Sequence, residues 1–251
     1  MTQDATPAQT RNRKAWKLIL AIAVALVVLN VVYPFVWFST EFRARVVDES
    51  TGRPVSGAIV LANWELVGGF HPDTLGQLVI SEVVTGSDGV FRIPAWGPRF
   101  ALGLGRLEAI APRIRILHPG YYPLILDNQP RPMTELSYAG ADTVIRYLYQ
   151  DQELNLKPRG ANLAAYEQAL NILVGHLSFI YPGRNCDWRS APRTLAFIDR
   201  LAHELSEHDR RVQLYYVWQL GEQAHCGPPN PADLVKEYLS GLIGSFTPAA
   251  S

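Results

Sequence analysis

The longest uninterrupted apolar stretch runs from Leu18 to Phe38, LILAIAVALVVLNVVYPFVWF, 21 residues without a charge. As a helix rising about 1.5 Å per residue it matches the roughly 30 Å hydrocarbon core of a bilayer, so the pattern predicts a transmembrane helix over 18–38. Arg11, Arg13, Lys14 and Lys17 precede it, whereas Glu41, Arg43 and Arg45 follow it. The positive-inside bias therefore places residues 1–17 in the cytoplasm and the rest of the chain outside. Trp16, Tyr33 and Trp37 stand where amphipathic rings favour the headgroups. Asn30 and Pro34 are polar and helix-breaking positions of a kind that membrane helices tolerate. The run is longer than the apolar part of a signal peptide, and Ser39-Thr40-Glu41-Phe42 lacks small residues for cleavage, so the expected anchor is uncleaved.

From Phe42 the period drops to two. Phe42-Arg43-Ala44-Arg45-Val46 alternates as a half-buried strand does, and Ala58–Trp64 is an apolar run suited to a more buried one. Further strands are expected at Leu78–Thr85, Val90–Ile93, Arg113–Leu117, Tyr122–Leu126 and Thr143–Tyr149. Thr51-Gly52-Arg53-Pro54 and Pro119-Gly120 supply turn chemistry, and Gly86-Ser87-Asp88-Gly89 reads as the turn of a hairpin. The glycine-rich segment 97–112 reads as a long loop. About seven short strands over 41–150 predict a small β-sandwich.

Beyond Gly160 the period changes again. Leu163, Tyr166, Leu170, Leu173, Leu177 and Ile180 fall three and four apart on one helical stripe, ended by Tyr181-Pro182-Gly183. Ser190 and Pro192 suggest the start of a second helix carrying Leu195, Ile198, Leu201 and Leu205. Asn230-Pro231 opens a third, and Val212–Leu220 is read as helical despite its strand-favouring residues. The fold class is thus α+β: an N-terminal transmembrane helix, a seven-stranded sandwich and an α-helical tail over 160–247.

Charge and cysteine usage narrow the partners. With 23 basic and 23 acidic residues, the chain lacks the positive excess that phosphate neutralisation demands, and nucleic acid is not an expected partner. Cys186 and Cys226 flank the helical part on the expected oxidising side of the membrane, and a disulfide between them is expected. It would contribute about 2–4 kcal/mol by restricting the unfolded chain. His225 beside Cys226 lacks the further ligand a zinc site needs. In His203-Glu204-Leu205-Ser206-Glu207-His208 the histidines lie five apart, about 140° around a helix, whereas the zinc-protease motif needs four. No lysine follows Gly97–Gly105 to complete a phosphate loop. Trp64, Phe70, Trp96, Phe100, Tyr121 and Tyr122 could form an aromatic binding face, with Trp64, Trp96, Tyr121 and Tyr122 the residues singled out. Core packing is the ordinary alternative for such rings.

Three segments, VVDESTGRPVSGAIV (Val46–Val60), VTGSDGVFRI (Val84–Ile93) and HPGYYPL (His118–Leu124), resemble the carboxypeptidase regulatory-like domain. The resemblance covers roughly Glu41–Tyr149 and implies a transthyretin-like, prealbumin-type sandwich, an accessory fold rather than a catalyst. The transthyretin relatives that hydrolyse hydroxyisourate end in Tyr-Arg-Gly-Ser, which this chain lacks. The expectation is a non-enzymatic, cofactor-free and metal-free binding or scaffold module. It would be held at the inner membrane by one anchor, with its outer part periplasmic or extracellular, and would recognise a protein or a cell-surface polymer. Two alternatives stand beside it: a hydrolase or metal-binding protein using His176, His203, His208 and His225, and a structural subunit of a membrane complex.

Overall fold

The structure is a computed structural model that describes residues 16–25, 36–68, 73–100, 105–108, 110–128, 144–145, 147–177 and 186–206. A helical stretch, α1, occupies 16–25 with all its side chains exposed. Among the described residues no helix is long and apolar enough to cross a membrane. The expected span also ends too late: Val36–Ser39 is a strand, β1, so Val36, Trp37 and Phe38 are not helical. Trp37, assigned above to the headgroups, is buried in the protein core. Apolar content alone does not distinguish a membrane helix from a buried strand that follows it without a break. Asn30, Tyr33 and Pro34 lie outside the described residues.

The strands follow in order as β2 (Phe42–Asp48), β3 (Ile59–Gly68), β4 (Asp73–Val84), β5 (Val90–Ile93), β6 (Trp96–Phe100), β7 (Arg106–Leu107), β8 (Arg113–Leu117), β9 (Leu124–Asp127), β10 (Val144–Ile145) and β11 (Glu153–Leu156). Eleven described strands thus replace the expected seven. The segment read as a loop contains β6 and β7, while β1 and β11 had no place in the expected set. They form three sheets, ordered β10-β1-β6, β11-β2-β5 and β4-β3-β8-β9, with β7 beside β3.

The first two sheets face the third across one apolar core. Trp37, Phe42, Ala44, Val46, Phe91 and Ile93 meet Val60, Ala62, Trp64, Ile114 and Ile116 there. Phe42 lies edge-on to Phe91 at 5.4 Å and stacks on Tyr147 at 4.5 Å. The Tyr147 hydroxyl is hydrogen-bonded to Ser39, and burial pushes its pKa up to about 12. Because strand side chains alternate, the opposite face of the third sheet carries Ile59, Leu61 and Leu117 outward. Two helices cover them, α2 (Leu163–Gly175) and α3 (Pro192–Ser206), through Tyr166, Leu170, Leu173, Leu177, Leu195, Ile198 and Leu201. The predicted stripes therefore pack against the sheet, giving sheet, sheet and helix layers. Ile180, Val212–Leu220, Asn230 and Pro231 lie outside the described residues.

The turn at Gly86–Gly89 does not close a hairpin. β4 pairs with β3 along its whole length, whereas β5 pairs with β2, so the turn carries the chain from one layer to the other. Gly89 explains why so tight a crossover is possible: its φ is +74°, and a Cβ there would stand 2.4 Å from the Val46 carbonyl oxygen. Only glycine tolerates both conditions.

The helix α3 starts at Pro192, where Ser190 and Pro192 suggested a start. Ala191 accepts the first helical bond, from Leu195 N at 3.1 Å, and has no side chain able to cap. Pro192 lacks an N–H, which leaves those of Arg193 and Thr194 as the orphan donors of the first turn. Glu82, on β4, accepts both, at 2.9 and 2.7 Å. A carboxylate from the sheet thus caps the helix. Burial raises the Glu82 pKa above its ordinary value, against the opposing pull of these two N–H groups and of Arg193. Its charged form therefore destabilises the fold above the raised value, and native Glu82 takes up its proton first as pH falls. The stability of the wild type relative to Glu82→Gln is expected to rise as pH is lowered from neutrality through that value, measured by paired urea titrations. A fall would mean that the N–H bonds to the carboxylate outweigh its burial.

Candidate functional site

A group of polar side chains lies where the third sheet meets the end of α2. Alternation along β8 sends Ile114 and Ile116 into the sandwich and Arg113, Arg115 and Leu117 towards the helices. In β3 the same rule places Asn63 and Glu65 beside them, with Asn63 paired in register to Arg113. Glu108 follows β7, and Asp127 ends β9 opposite Arg113.

Arg113 is shared by three carboxylates. Its Nη2 donates to Glu108 Oε1 at 2.7 Å, while Nη1 is 3.7 Å from Glu65 Oε2 and Nε is 3.9 Å from Asp127 Oδ1. Arg115 is fully buried, donating from Nη1 to Asn63 Oδ1 and from Nη2 to the carbonyl of His176. Asn63 in turn donates to Gln77 Oε1 at 2.7 Å. His176 is the C-cap of α2, so the guanidinium sits at the negative end of that helix, where a cation is favoured.

Burial, and then the neighbouring Arg113, bring the Arg115 pKa down to about 10, with Glu65, Asp127 and Glu108 opposing them. It stays charged near neutrality. Burial also raises Glu108, offset in part by Arg113. His176 is held below its ordinary value by burial and by Arg115, which favours a neutral ring at pH 7. Gln77 Nε2, Arg115 Nε and Glu108 Oε2 are buried without a hydrogen-bond partner among the described residues. The arrangement is a charge-paired cluster on the sheet, joined to the helix through the bond from Arg115 to the His176 carbonyl. The sequence reading missed it because strand alternation marks Arg113 and Arg115 as solvent-facing.

The four aromatic residues singled out do not share a face. Trp64 is fully buried between the sheets, edge-on to Trp96 at 5.2 Å, and so cannot be part of a binding surface. Trp96 packs partly against the same core. Tyr121 donates to Asp48 Oδ2 at 2.9 Å and lies edge-on to His118 at 5.1 Å. Hydrogen bonds from Ser50, Tyr121 and Thr51 hold the Asp48 pKa well below the usual carboxylate range against an opposing burial effect, while burial and Asp48 push Tyr121 up to about 12. Tyr122 lies edge-on to Tyr166 at 5.6 Å, under α2. Volume draws these rings into two separate cores, Trp64, Trp96 and Tyr121 against one and Tyr122 against the other. Phe100, by contrast, is 59% exposed on β6. Phe70 lies outside the described residues.

Among the described residues no group of three or more His, Cys, Asp or Glu is placed to hold a metal ion. His203 is on α3, and His208 and His225 lie outside the described residues. Cys186, beside the 3-10 turn Asp187–Ser190, is disulfide-bonded, and Cys226 lies outside the described residues.

No family model matches the chain, and no curated protein matches it. Similar solved structures include hydroxyquinol 1,2-dioxygenase from Pseudomonas putida DLL-E4, 18% identical with a TM-score of 0.28, over 49% of this chain and 57% of that one. Another is the dioxygenase domain of a dioxygenase carbohydrate-binding protein fusion from Streptomyces sp. SirexAA-E, 18% identical with a TM-score of 0.27, over 50% of this chain and 80% of that domain. A third is a 9R-lipoxygenase from Cyanothece PCC8801, 12% identical with a TM-score of 0.23, over 64% of this chain and 26% of that one. The chain spans little more than half the length of the hydroxyquinol dioxygenase.

Proposed function

We propose that this chain is a membrane-anchored, non-enzymatic binding or scaffold module of the cell envelope, its outer part recognising a protein or a surface polymer. The observation that carries the reading is α1, whose apolar side chains Trp16, Leu18, Ile19, Leu20, Ile22 and Val24 are all exposed, Trp16 at 71%. Water disfavours such a surface, and a bilayer covers it. With the basic residues before Leu18, this favours an inner-membrane anchor with the sandwich on the far side. The carboxypeptidase regulatory-like resemblance belongs to the same reading. Its Val46–Val60 segment is a crossover between layers, from β2 to β3, as the resemblance implies, whereas Val84–Ile93 crosses from β4 to β5 where the resemblance implies a hairpin. Arg43, Arg45 and Arg92, paired to Asp151, Glu153 and Glu41 on the outward face of β2 and β5, leave a charged, uncovered surface for a partner.

The test is recovery of partners from native membranes by the tagged full chain and by a form beginning at Pro34. The shorter form keeps β1, whose Trp37 and Ser39 are buried. One protein or polymer retained specifically by both forms is the expected result. Recovery of none, together with metal binding or turnover of ester or peptide substrates by the full chain, would overturn the binding reading. A non-reducing peptide map of the same material is expected to join Cys186 to Cys226, and a free Cys226 thiol would contradict that pairing.

A further inference from the structure

We infer that the outward face of β1 and β6, formed by Val36, Phe38 and Phe100, lies in the membrane interface and seats the sandwich directly on the bilayer. The inference rests on the anchor reading and goes beyond it, because a tethered domain need not touch lipid. It starts from chain length. Leu18–Phe35 is 18 uncharged residues, a helical rise of about 27 Å against a hydrocarbon core of roughly 30 Å. β1 begins at the next residue, Val36. On the anchor reading the helix takes up this whole run, which leaves no residues for a linker and starts the first strand of the sandwich at headgroup level.

The chemistry of that strand agrees. Burial alternates along β1, with Trp37 and Ser39 inward and Phe38 outward, so Val36 points outward with Phe38. Val36 is paired in register with Phe100, which brings both to the same side. Phe38 is 38% exposed and Phe100 59%. Gly97 keeps the sheet close beneath them, since a Cβ there would stand 2.7 Å from the Phe38 ring. Outward-facing aromatic and branched apolar side chains suit the boundary of headgroups and acyl chains. The occupant is the bilayer that holds the anchor, because β1 is continuous with it.

The test uses the oxidised full chain in vesicles of phosphatidylcholine and phosphatidylglycerol, with a nitroxide on Phe100→Cys, on Val36→Cys or on Thr51→Cys. Thr51 lies in the turn beyond the far end of β2 and is exposed. The ratio of collision with oxygen to collision with a water-soluble nickel chelate is expected to be several-fold higher at positions 100 and 36 than at 51. Two sites keep the test decisive should one variant misfold. A ratio at 100 and 36 equal to that at 51, in chains that resist alkaline carbonate extraction, would overturn the seating and leave the anchor. Chains that carbonate extracts would overturn both.

Discussion

Replacing Arg115 by alanine is expected to lower stability by about 3–5 kcal/mol, within the range set by two buried acceptors left without their donor. Three effects act together. The Asn63 side-chain oxygen and the His176 carbonyl lose their donor, each worth about 1–3 kcal/mol when buried. A cavity opens between the sheet and α2, and Glu65, Glu108 and Asp127 keep one cation, Arg113, where they had two. Arg115→Met keeps most of the volume and should be milder, and Arg115→Lys keeps the charge without the two-pronged donor geometry. Urea unfolding of the detergent-solubilised chain, followed by tryptophan fluorescence, checks the order. Loss of less than about 1 kcal/mol in the alanine variant would mean that the guanidinium does not join the layers.

Trp64→Ala carries the second large effect, a loss of about 3–5 kcal/mol for deleting a fully buried indole. The same deletion at Trp96, which is only partly buried, should cost less. The contrast separates core from surface. Were Trp64 part of a binding face, its removal would reduce partner recovery and leave the unfolding midpoint unchanged. The expected result is the reverse order, with the midpoint falling first and recovery following only through loss of fold.

Two strands in different sheets were legible in the residues with their limits. Arg113-Ile114-Arg115-Ile116-Leu117 is a strand with the predicted limits, and Val90–Ile93 is another. What the alternation did not carry was the identity of the environment on each side. It separates two faces and is silent on whether the polar one meets water or a helix, so it does not reveal that Arg115 is buried and Arg113 half-buried. The hairpin at Gly86–Gly89 misled for a related reason. The local turn chemistry was right, but strand pairing depends on which distant strand offers a complementary apolar face, and for Val90–Ile93 that is Phe42–Arg45.

The sequence by itself determined the α+β class, the apolar faces of the two C-terminal helices, and the presence of an uncharged N-terminal run. Periodicity is a local property, and it follows from backbone geometry alone. Only the tertiary structure decided where that apolar run becomes a strand, because Trp37 is drawn into the core by contacts far along the chain. It alone assigned the capping of α3 to Glu82, 111 residues before Arg193, and the neutralisation of a helix end to Arg115. Partners so distant in sequence leave no periodic trace, and burial, hydrogen-bond satisfaction and charge pairing are settled only once the layers meet.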